Sequence, residues 1–290
     1  MSTKSVAVPP EIEHIFARAE RSTHDYFAGR THRPEQGTIE ISGERYILVR
    51  AASMSVDFFD LIASLYREGT EADARRIAAD FLFDLAHASG KSDARHFHEK
   101  TGFTDPLEKL SLGPIHFAYT GWAFVAIDAA SRPVANENFL LVYEHPYSFE
   151  SDAWLRRGRR SARPVCAMNA GYSSGWCEES FGIPLIASEI SCRAAGGDAC
   201  RFLMAPPWRM NEHLTRHGVA PRAAGGEGGE GGEGEIEIPE FFQRKRLEER
   251  LQRKQRHIEL LTAQSARQDE EIRRLRADLA AAEERRDRAP

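Results

Sequence analysis

Residues 163–205 read RPVCAMNAGYSSGWCEESFGIPLIASEISCRAAGGDACRFLMA and hold all four cysteines of a chain of 290 residues. Cys166, Glu189, Cys192 and Cys200 follow the spacing C-x22-E-x2-C-x7-C. Three thiolates and one carboxylate would form a four-coordinate zinc site. Plain burial is the alternative, because free cysteine behaves as a small hydrophobic residue. The spacing alone leaves both interpretations open.

The strand predicted over PLIASEISC sets a geometric condition on such a site. Side chains alternate between the two faces of a strand, so Glu189 and Cys192 would point in opposite directions. A bulge or strand end near Ile190 is therefore required. Beyond Cys192, Gly196 and Gly197 permit a tight turn that brings Cys200 back on an adjacent strand.

Two runs in this stretch, GYSSGWCEESFG and ASEISCRAAGGDACRF, closely resemble the 4-vinyl reductase domain. That domain is the conserved half of the XylR-type N-terminal sensory domains found on aromatic-responsive, sigma-54-dependent activators. The family holds a zinc ion with three cysteines and one glutamate, which implies Cys166, Glu189, Cys192 and Cys200 as the zinc ligands of this chain. Cys177 matches no ligand position and is predicted to be a buried helix residue.

The resemblance extends over residues 15–205, and its N-terminal half matches in pattern rather than in motif. In the family, this half forms much of the dimer interface and one wall of the ligand pocket. The resemblance therefore implies a homodimer that binds a small aromatic or apolar molecule.

Composition limits the other functions that the chain could have. A net charge of −5 and the absence of a recognisable helix-turn-helix argue against direct binding to nucleic acid. No apolar run is long enough for a membrane span, and the N-terminus lacks a signal-peptide pattern, so we expect a cytoplasmic protein. The sequence has neither an ATPase loop GxxxxGK[ST] nor a GxGxxG after a strand, which argues against an ATPase or a reductase.

The chain in order predicts an α+β fold with an antiparallel sheet packed against helices. Residues 1–14 are predicted to be disordered, and a helix follows over EIEHIFARAERSTHDYF. Ser42-Gly43 marks a β-hairpin. Two amphipathic helices come next, with Gly69 and Gly90 as their expected ends. Their predicted apolar faces hold Phe58, Leu61, Ile62, Leu65, Ile77, Phe81, Leu82 and Leu85.

Two aromatic segments are predicted to be strands that border an apolar cavity. They are KLSLGPIHFAYTGWAFVAID at 109–128 and FLLVYEHPYSFE at 139–150. An ordinary packed sheet face is the alternative for any one aromatic residue. As a set, the aromatic residues and two histidines fit the composition of a small-molecule site. The candidate ligand-binding residues are His116, Phe117, Trp122, Tyr143 and His145.

Phenol-sensing relatives hold the ligand hydroxyl with a histidine after a Gly-Pro pair and a tryptophan before a Ser-Phe-Glu run. An ungapped match places Phe117 at that histidine position and His145 at that tryptophan position. His116 lies one residue earlier, which would be the opposite face of a strand. The two residues that hold the phenol hydroxyl are therefore not preserved, and we expect the pocket to bind another ligand or none.

The C-terminal part is predicted to be a linker and a coiled coil. Residues 218–238 are rich in Gly and Glu, which is typical of a flexible linker. Residues 239–286 repeat apolar positions every seven residues and favour a parallel dimer. The predicted core residues are Leu247, Leu251, Ile258, Leu261, Ile272, Leu275 and Leu279.

Three functions follow from these features. The first is a cytoplasmic dimeric sensor or adaptor whose head, residues 15–217 with a structural zinc subsite at 163–205, signals through the coiled coil to a separate protein. The second is a coiled-coil scaffold whose head no longer binds ligand. An enzyme is the third and least favoured, because three thiolates and a carboxylate leave no open zinc position for water.

Overall fold

The computed structural model describes residues 3–65 and 70–219. These belong to the first of two compact units, Met1–Gly232 and Glu233–Pro290. Gly69, nearly all of the predicted linker and the whole predicted coiled coil lie outside the described residues. The helices are α1 Glu13–Ala28, α2 Val56–Leu65, α3 Glu71–Thr101, α4 Pro106–Thr120, α5 Phe149–Arg156, α6 Ala167–Phe181 and α7 Met210–Arg216.

The eight strands of the described part form two sheets. They are β1 Val6–Ala7, β2 Arg30–Arg33, β3 Thr38–Ile41, β4 Glu44–Tyr46, β5 Ala123–Ile127, β6 Leu141–Ser148, β7 Ile186–Ser191 and β8 Cys200–Ala205. The larger sheet has the order β1-β5-β6-β8-β7, and the smaller has the order β2-β3-β4. The predicted α+β class is confirmed, but the larger sheet is mixed because β1 runs parallel to β5.

The N-terminal segment differs from its prediction. Val6 and Ala7 pair with Val125 and Ala126 at the sheet edge, and the Val6 side chain lies in the core. The Glu20 carboxylate accepts hydrogen bonds from the backbone amides of Lys4 and Ser5. The prediction of disorder for residues 1–14 missed this anchor, because Glu20 lies on the next helix. Residues 3–14 are part of the folded head.

The hairpin predicted at Ser42-Gly43 is confirmed. These two residues join β3 to β4 with φ angles of 51° and 88°, as expected for a two-residue turn that needs positive φ at both positions.

Helix α3 runs through Gly90, which was predicted to end it. The lack of a side chain at Gly90 serves packing against α6, since a Cβ there would overlap the backbone carbonyl of Tyr172. From the α6 side, Gly171 and Gly175 approach the carbonyls of Phe83 and His87 equally closely. The helix instead begins at its cap Thr70 and ends at Gly102, which has a φ of 66°.

The predicted apolar faces of α2 and α3 are only partly buried. Of the predicted residues, Ile62, Ile77 and Leu82 are buried, whereas Leu61, Leu65 and Leu85 are more than half exposed. On α2, Phe59 is buried in place of the predicted Phe58, which is half-buried. The two helices contact each other and the core along a stripe narrower than the periodicity suggested.

The first half of the predicted strand at 109–128 is helix α4. Asp105 caps this helix by accepting the amide hydrogens of Leu107 and Glu108, and Pro106 occupies its first turn. Pro114 lies inside the helix, and its neighbour Gly113 packs against the Trp176 ring, where a Cβ would lie 2.9 Å from the ring. The strand is confirmed only over Ala123–Ile127.

The last strand ends before Pro206-Pro207, as predicted. Its outer face is covered by α7 through Leu203, Met210 and Leu214. Across residues 3–65 and 70–219, no helix combines the length and apolar character that a membrane span requires.

Candidate metal centre and interior cavity

Four candidate ligands meet where α6 approaches the β7–β8 hairpin. Cys166 precedes the first turn of α6, Glu189 lies on β7, Cys192 follows β7, and Cys200 begins β8. Their ligand atoms all lie within 4.8 Å of one another. The three thiols are buried, and Cys177 is buried elsewhere along α6, as predicted.

A bulge in β7 allows Glu189 and Cys192 to face the same point. The pairing of β7 with β8 shifts register between Glu189 and Ser191, which is the irregularity expected near Ile190. The return turn places Gly196 at a φ of 98°. At Gly197, a Cβ would overlap the Ser191 hydroxyl. The predicted condition for a common site is therefore met.

The distances fit a tetrahedral ion. Cys200 Sγ lies 3.5 Å from Cys166 Sγ and 3.9 Å from Cys192 Sγ. With metal–sulfur bonds of about 2.3 Å, the edge of a tetrahedron is about 3.8 Å. Glu189 Oε2 accepts the Cys166 amide hydrogen at 2.8 Å, while Oε1 is buried without a partner among the residues that the structure describes. These residues could hold a metal ion, with the unpaired oxygen as the fourth ligand.

Electrostatics also favour a bound cation. Burial raises the pKa of the Cys166 thiol and of the Glu189 carboxyl well above their ordinary values. Hydrogen bonds from Cys166 and Cys192 hold the pKa of Cys200 well below its ordinary value. Several acidic groups packed this closely cannot all ionise by themselves, whereas a divalent ion would stabilise the deprotonated set.

An interior cavity of about 30 Å³ lies between α4, α6 and the inner face of the sheet. Three of the five predicted ligand-binding residues line it: Phe117, Tyr143 and His145. The other lining residues are Leu110, Gly113, Pro114, Val125, Ile127, Leu141, Tyr172, Ser173, Trp176 and Cys177. All described lining residues are uncharged.

His145 is the polar group that the cavity leaves unsatisfied. It is 0% exposed, and neither ring nitrogen has a hydrogen-bond partner among the described residues. Burial lowers its pKa to about 3, so the ring is neutral and offers one donor and one acceptor. Tyr143, in contrast, is bonded to the Ser173 hydroxyl at 2.7 Å.

The remaining two predicted residues lie outside the cavity. His116 is on helix α4, not on a strand, and its Nδ1 lies 3.0 Å from the Tyr172 hydroxyl. That hydroxyl donates to Asp93 at 2.7 Å, so His116 ends a buried polar chain behind the cavity wall. Trp122 stacks on Phe117 and faces an outer groove instead.

The outer groove has a volume of about 1410 Å³ and is bordered by α1, the α4–β5 turn and α5. Trp122, Phe124 and Phe149 are among its aromatic lining residues. Just before the lining residue Ala51, three consecutive apolar side chains are exposed. The exposed fractions are 76% for Ile47, 77% for Leu48 and 52% for Val49.

The contribution of α6 to the cavity was missed at the sequence level. Tyr172, Trp176 and their neighbours line one wall, while the sequence pattern had pointed to this helix for the metal site alone. A helical signal was present, because Tyr172 and Trp176 are four residues apart and share a face.

Two family profiles match the described region. The profile of the 4-vinyl reductase domain matches residues 147–206, and the XylR N-terminal profile, described as activator of aromatic catabolism, matches residues 31–131. The chain carries the XylR-type sensory module. Its 4-vinyl reductase domain contains all four candidate metal ligands. No curated protein matches the chain.

One solved structure agrees with this assignment at the level of fold. The phenol-responsive sensory domain of the transcription activator PoxR, determined with phenol, is 20% identical, with a TM-score of 0.55. The match covers 72% of this chain and 97% of that domain. A trafficking protein particle complex subunit 3 from Naegleria fowleri, covalently bound to palmitic acid, is 10% identical. This match covers 53% of this chain and 93% of that subunit, and its TM-score of 0.36 is too low to show a shared fold.

Proposed function

We propose that the XylR-type module of this chain is a sensor for a small, neutral, apolar or aromatic molecule that enters the interior cavity. The observation that carries this proposal is His145, a fully buried histidine in the cavity wall whose two ring nitrogens have no partner in the described part of the chain. Unpaired buried polar groups are costly, and a ligand that hydrogen-bonds the ring would remove that cost. The phenol-responsive relative provides independent support for an aromatic ligand.

The ligand's chemistry follows from the lining. With a neutral imidazole and uncharged side chains around it, the cavity would not compensate a charged ligand. A volume of about 30 Å³ is near the share of one water molecule in the liquid. Binding therefore requires side chains to move, which would couple occupancy to conformation.

Thermal unfolding of the full chain with matched aromatic probes tests this function. We expect phenol to stabilise more than toluene, and benzoate to have no effect. At a phenol concentration of 100 times Kd, the gain would be about 2.7 kcal/mol. His145→Leu should abolish the preference for phenol over toluene. His213→Leu is the control, because His213 is buried on α7 with Nε2 unpaired and lies outside the cavity.

A head that responds to no probe would favour the second candidate, a coiled-coil scaffold without ligand binding. Two observations support that alternative: Phe117 replaces the expected histidine, and the cavity is small. Equal stabilisation of the wild type and of His145→Leu by phenol and by toluene would instead show that His145 does not hydrogen-bond the ligand.

The proposed metal is zinc, held by Cys166, Glu189, Cys192 and Cys200 in a structural role. Zinc would join the start of α6 to the β7–β8 hairpin, and its binding free energy would contribute to folding. The proposal includes no catalysis, since four protein ligands fill a tetrahedral zinc ion. It also places the protein in the cytoplasm, where thiols stay reduced.

The proposed output is a homodimer that signals through its C-terminal helix to a separate protein. We propose residues 15–217 as the head, 218–238 as the linker and 239–286 as the coiled coil. The heptads support the helix, and the exposed run Ile47–Val49 supports self-association of the head. Deleting residues 236–290 should abolish capture of the partner while ligand-dependent stabilisation remains. Retained capture would contradict the assignment of the signalling segment.

A further inference from the structure

One short run, Ser148–Ser151, lies against the metal centre without supplying a metal ligand. Ser148 is the last residue of β6, and Phe149 begins α5. The two serines are three residues apart, and both are essentially inaccessible to solvent. Buried hydroxyls need hydrogen-bond partners. The Ser148 hydroxyl has a sulfur atom of the metal centre as a partner.

Ser148 contacts the first thiol. Its Oγ lies 3.3 Å from Cys166 Sγ and accepts the Nδ2 hydrogen of Asn169 at 2.9 Å. Since the asparagine donates to this oxygen, the hydroxyl hydrogen remains for the sulfur. A metal-bound thiolate carries no hydrogen, so Ser148 is the donor in the loaded site.

Ser151 stabilises the turn between β6 and α5. Its hydroxyl donates to the Ser148 carbonyl at 3.4 Å, which helps to hold the backbone of the residue that contacts Cys166.

Glu150, between the two serines, fixes the position of Cys166. Its carboxylate accepts the backbone amide hydrogens of Met168 and Asn169, both at 2.9 Å. These amides belong to the first turn of α6, directly after Cys166. The same run thus contacts both the backbone after Cys166 and the sulfur atom of Cys166.

We infer that Ser148 is a positioning residue of the metal centre, which donates a hydrogen bond to the metal-bound thiolate of Cys166 and thereby slows metal release. This inference rests on the metal centre of the proposed function. Outer partners of metal ligands typically change metal affinity by about 10- to 100-fold when they are removed.

Cobalt substitution of the full chain gives the decisive readout. Ser148→Ala should release zinc to a chelator about tenfold faster than the wild type. Its sulfur-to-cobalt charge-transfer bands should move to longer wavelength, because a thiolate that loses a hydrogen bond gives up electrons more easily. Ser111→Ala is the matched control, since Ser111 is equally buried and donates to the Glu108 carbonyl at 2.6 Å.

The outcomes distinguish failure of this inference from failure of the metal centre. Wild-type bands and wild-type zinc release in Ser148→Ala would overturn the inference while leaving the metal centre intact. A wild type that is folded by circular dichroism but takes up neither cobalt nor zinc would refute the metal centre itself, and the inference with it. If Ser148→Ala has a folding defect, Ser148→Gly removes the same hydroxyl and decides the inference in its place.

Discussion

Replacing Gly175 with alanine tests the packing on which both sites depend. Gly175 lies on α6, where a Cβ would overlap the His87 carbonyl oxygen of α3. It would also lie 3.0 Å from the carbonyl carbon of His87 and from the Lys91 nitrogen. The obstacle is therefore helix backbone, which cannot move aside as a flexible side chain can.

Two opposing effects set the change in the free energy of unfolding. Alanine in a helix interior is favoured over glycine by about 1 kcal/mol. Overpacking a close contact typically costs about 1–3 kcal/mol, and a backbone overlap belongs at or above the top of that range. We therefore expect Gly175→Ala to lower the free energy of unfolding by about 2 kcal/mol or more.

Urea denaturation of the full chain, followed by tryptophan fluorescence, measures this change, because Trp154 and Trp176 are both buried. Gly158→Ala is the control. Gly158 has a φ of 67° and open space around its Cβ position, so only backbone strain of about 1–2 kcal/mol applies. A Gly175→Ala protein as stable as the wild type would refute the proposed close approach of α3 and α6.

Three further predictions concern acid stability, a helix cap and the metal ligands. Burial lowers the pKa of His116 from 6.5 to about 3, so the unfolded chain binds a proton before the folded chain does. Stability should fall as the pH drops from about 6.5 toward 3, by about 2 kcal/mol at pH 5. In urea denaturation, His116→Phe should lack this part of the pH dependence. Stability-versus-pH curves that run parallel for the variant and the wild type would contradict the prediction. Asp105→Ala should cost about 1 kcal/mol in the same assay through loss of the α4 cap, whereas Asp105→Asn should cost little; equal losses would argue against capping. Cys192→Ser should lose zinc and fold incompletely, as judged by elemental analysis and circular dichroism, while Cys177→Ala should keep its zinc; loss of metal from both would point to general unfolding.

The four residues of the metal centre could be named from the sequence because the family resemblance implied them, and the local pattern added the geometric condition for bringing them together. Period-two alternation required an irregularity near Ile190, and Gly196-Gly197 marked the return to Cys200. The structure has both features. The Ser42-Gly43 hairpin was predictable from the local pattern, since two adjacent residues determine it.

The cavity wall was harder to predict because the aromatic run at 115–124 is compatible with two periodicities. The capping residue Asp105 and Pro106 were helix-start signals that the strand prediction did not use, so His116 was placed on a strand. The local pattern predicts a helix end at Gly90, whereas Gly90 serves the close packing of α3 against α6, some 80 residues later in the sequence. Contacts of this kind depend on tertiary packing and leave no local pattern.

Metal content tests the account most directly, because the metal centre and the cavity share their framework. His145 pairs in register with Cys200, and α6 begins beside Cys166 and continues along the cavity wall. Elemental analysis of the purified full chain, without added metal, should find about one zinc per chain. A chain that is fully folded by circular dichroism and contains no bound metal would contradict the account.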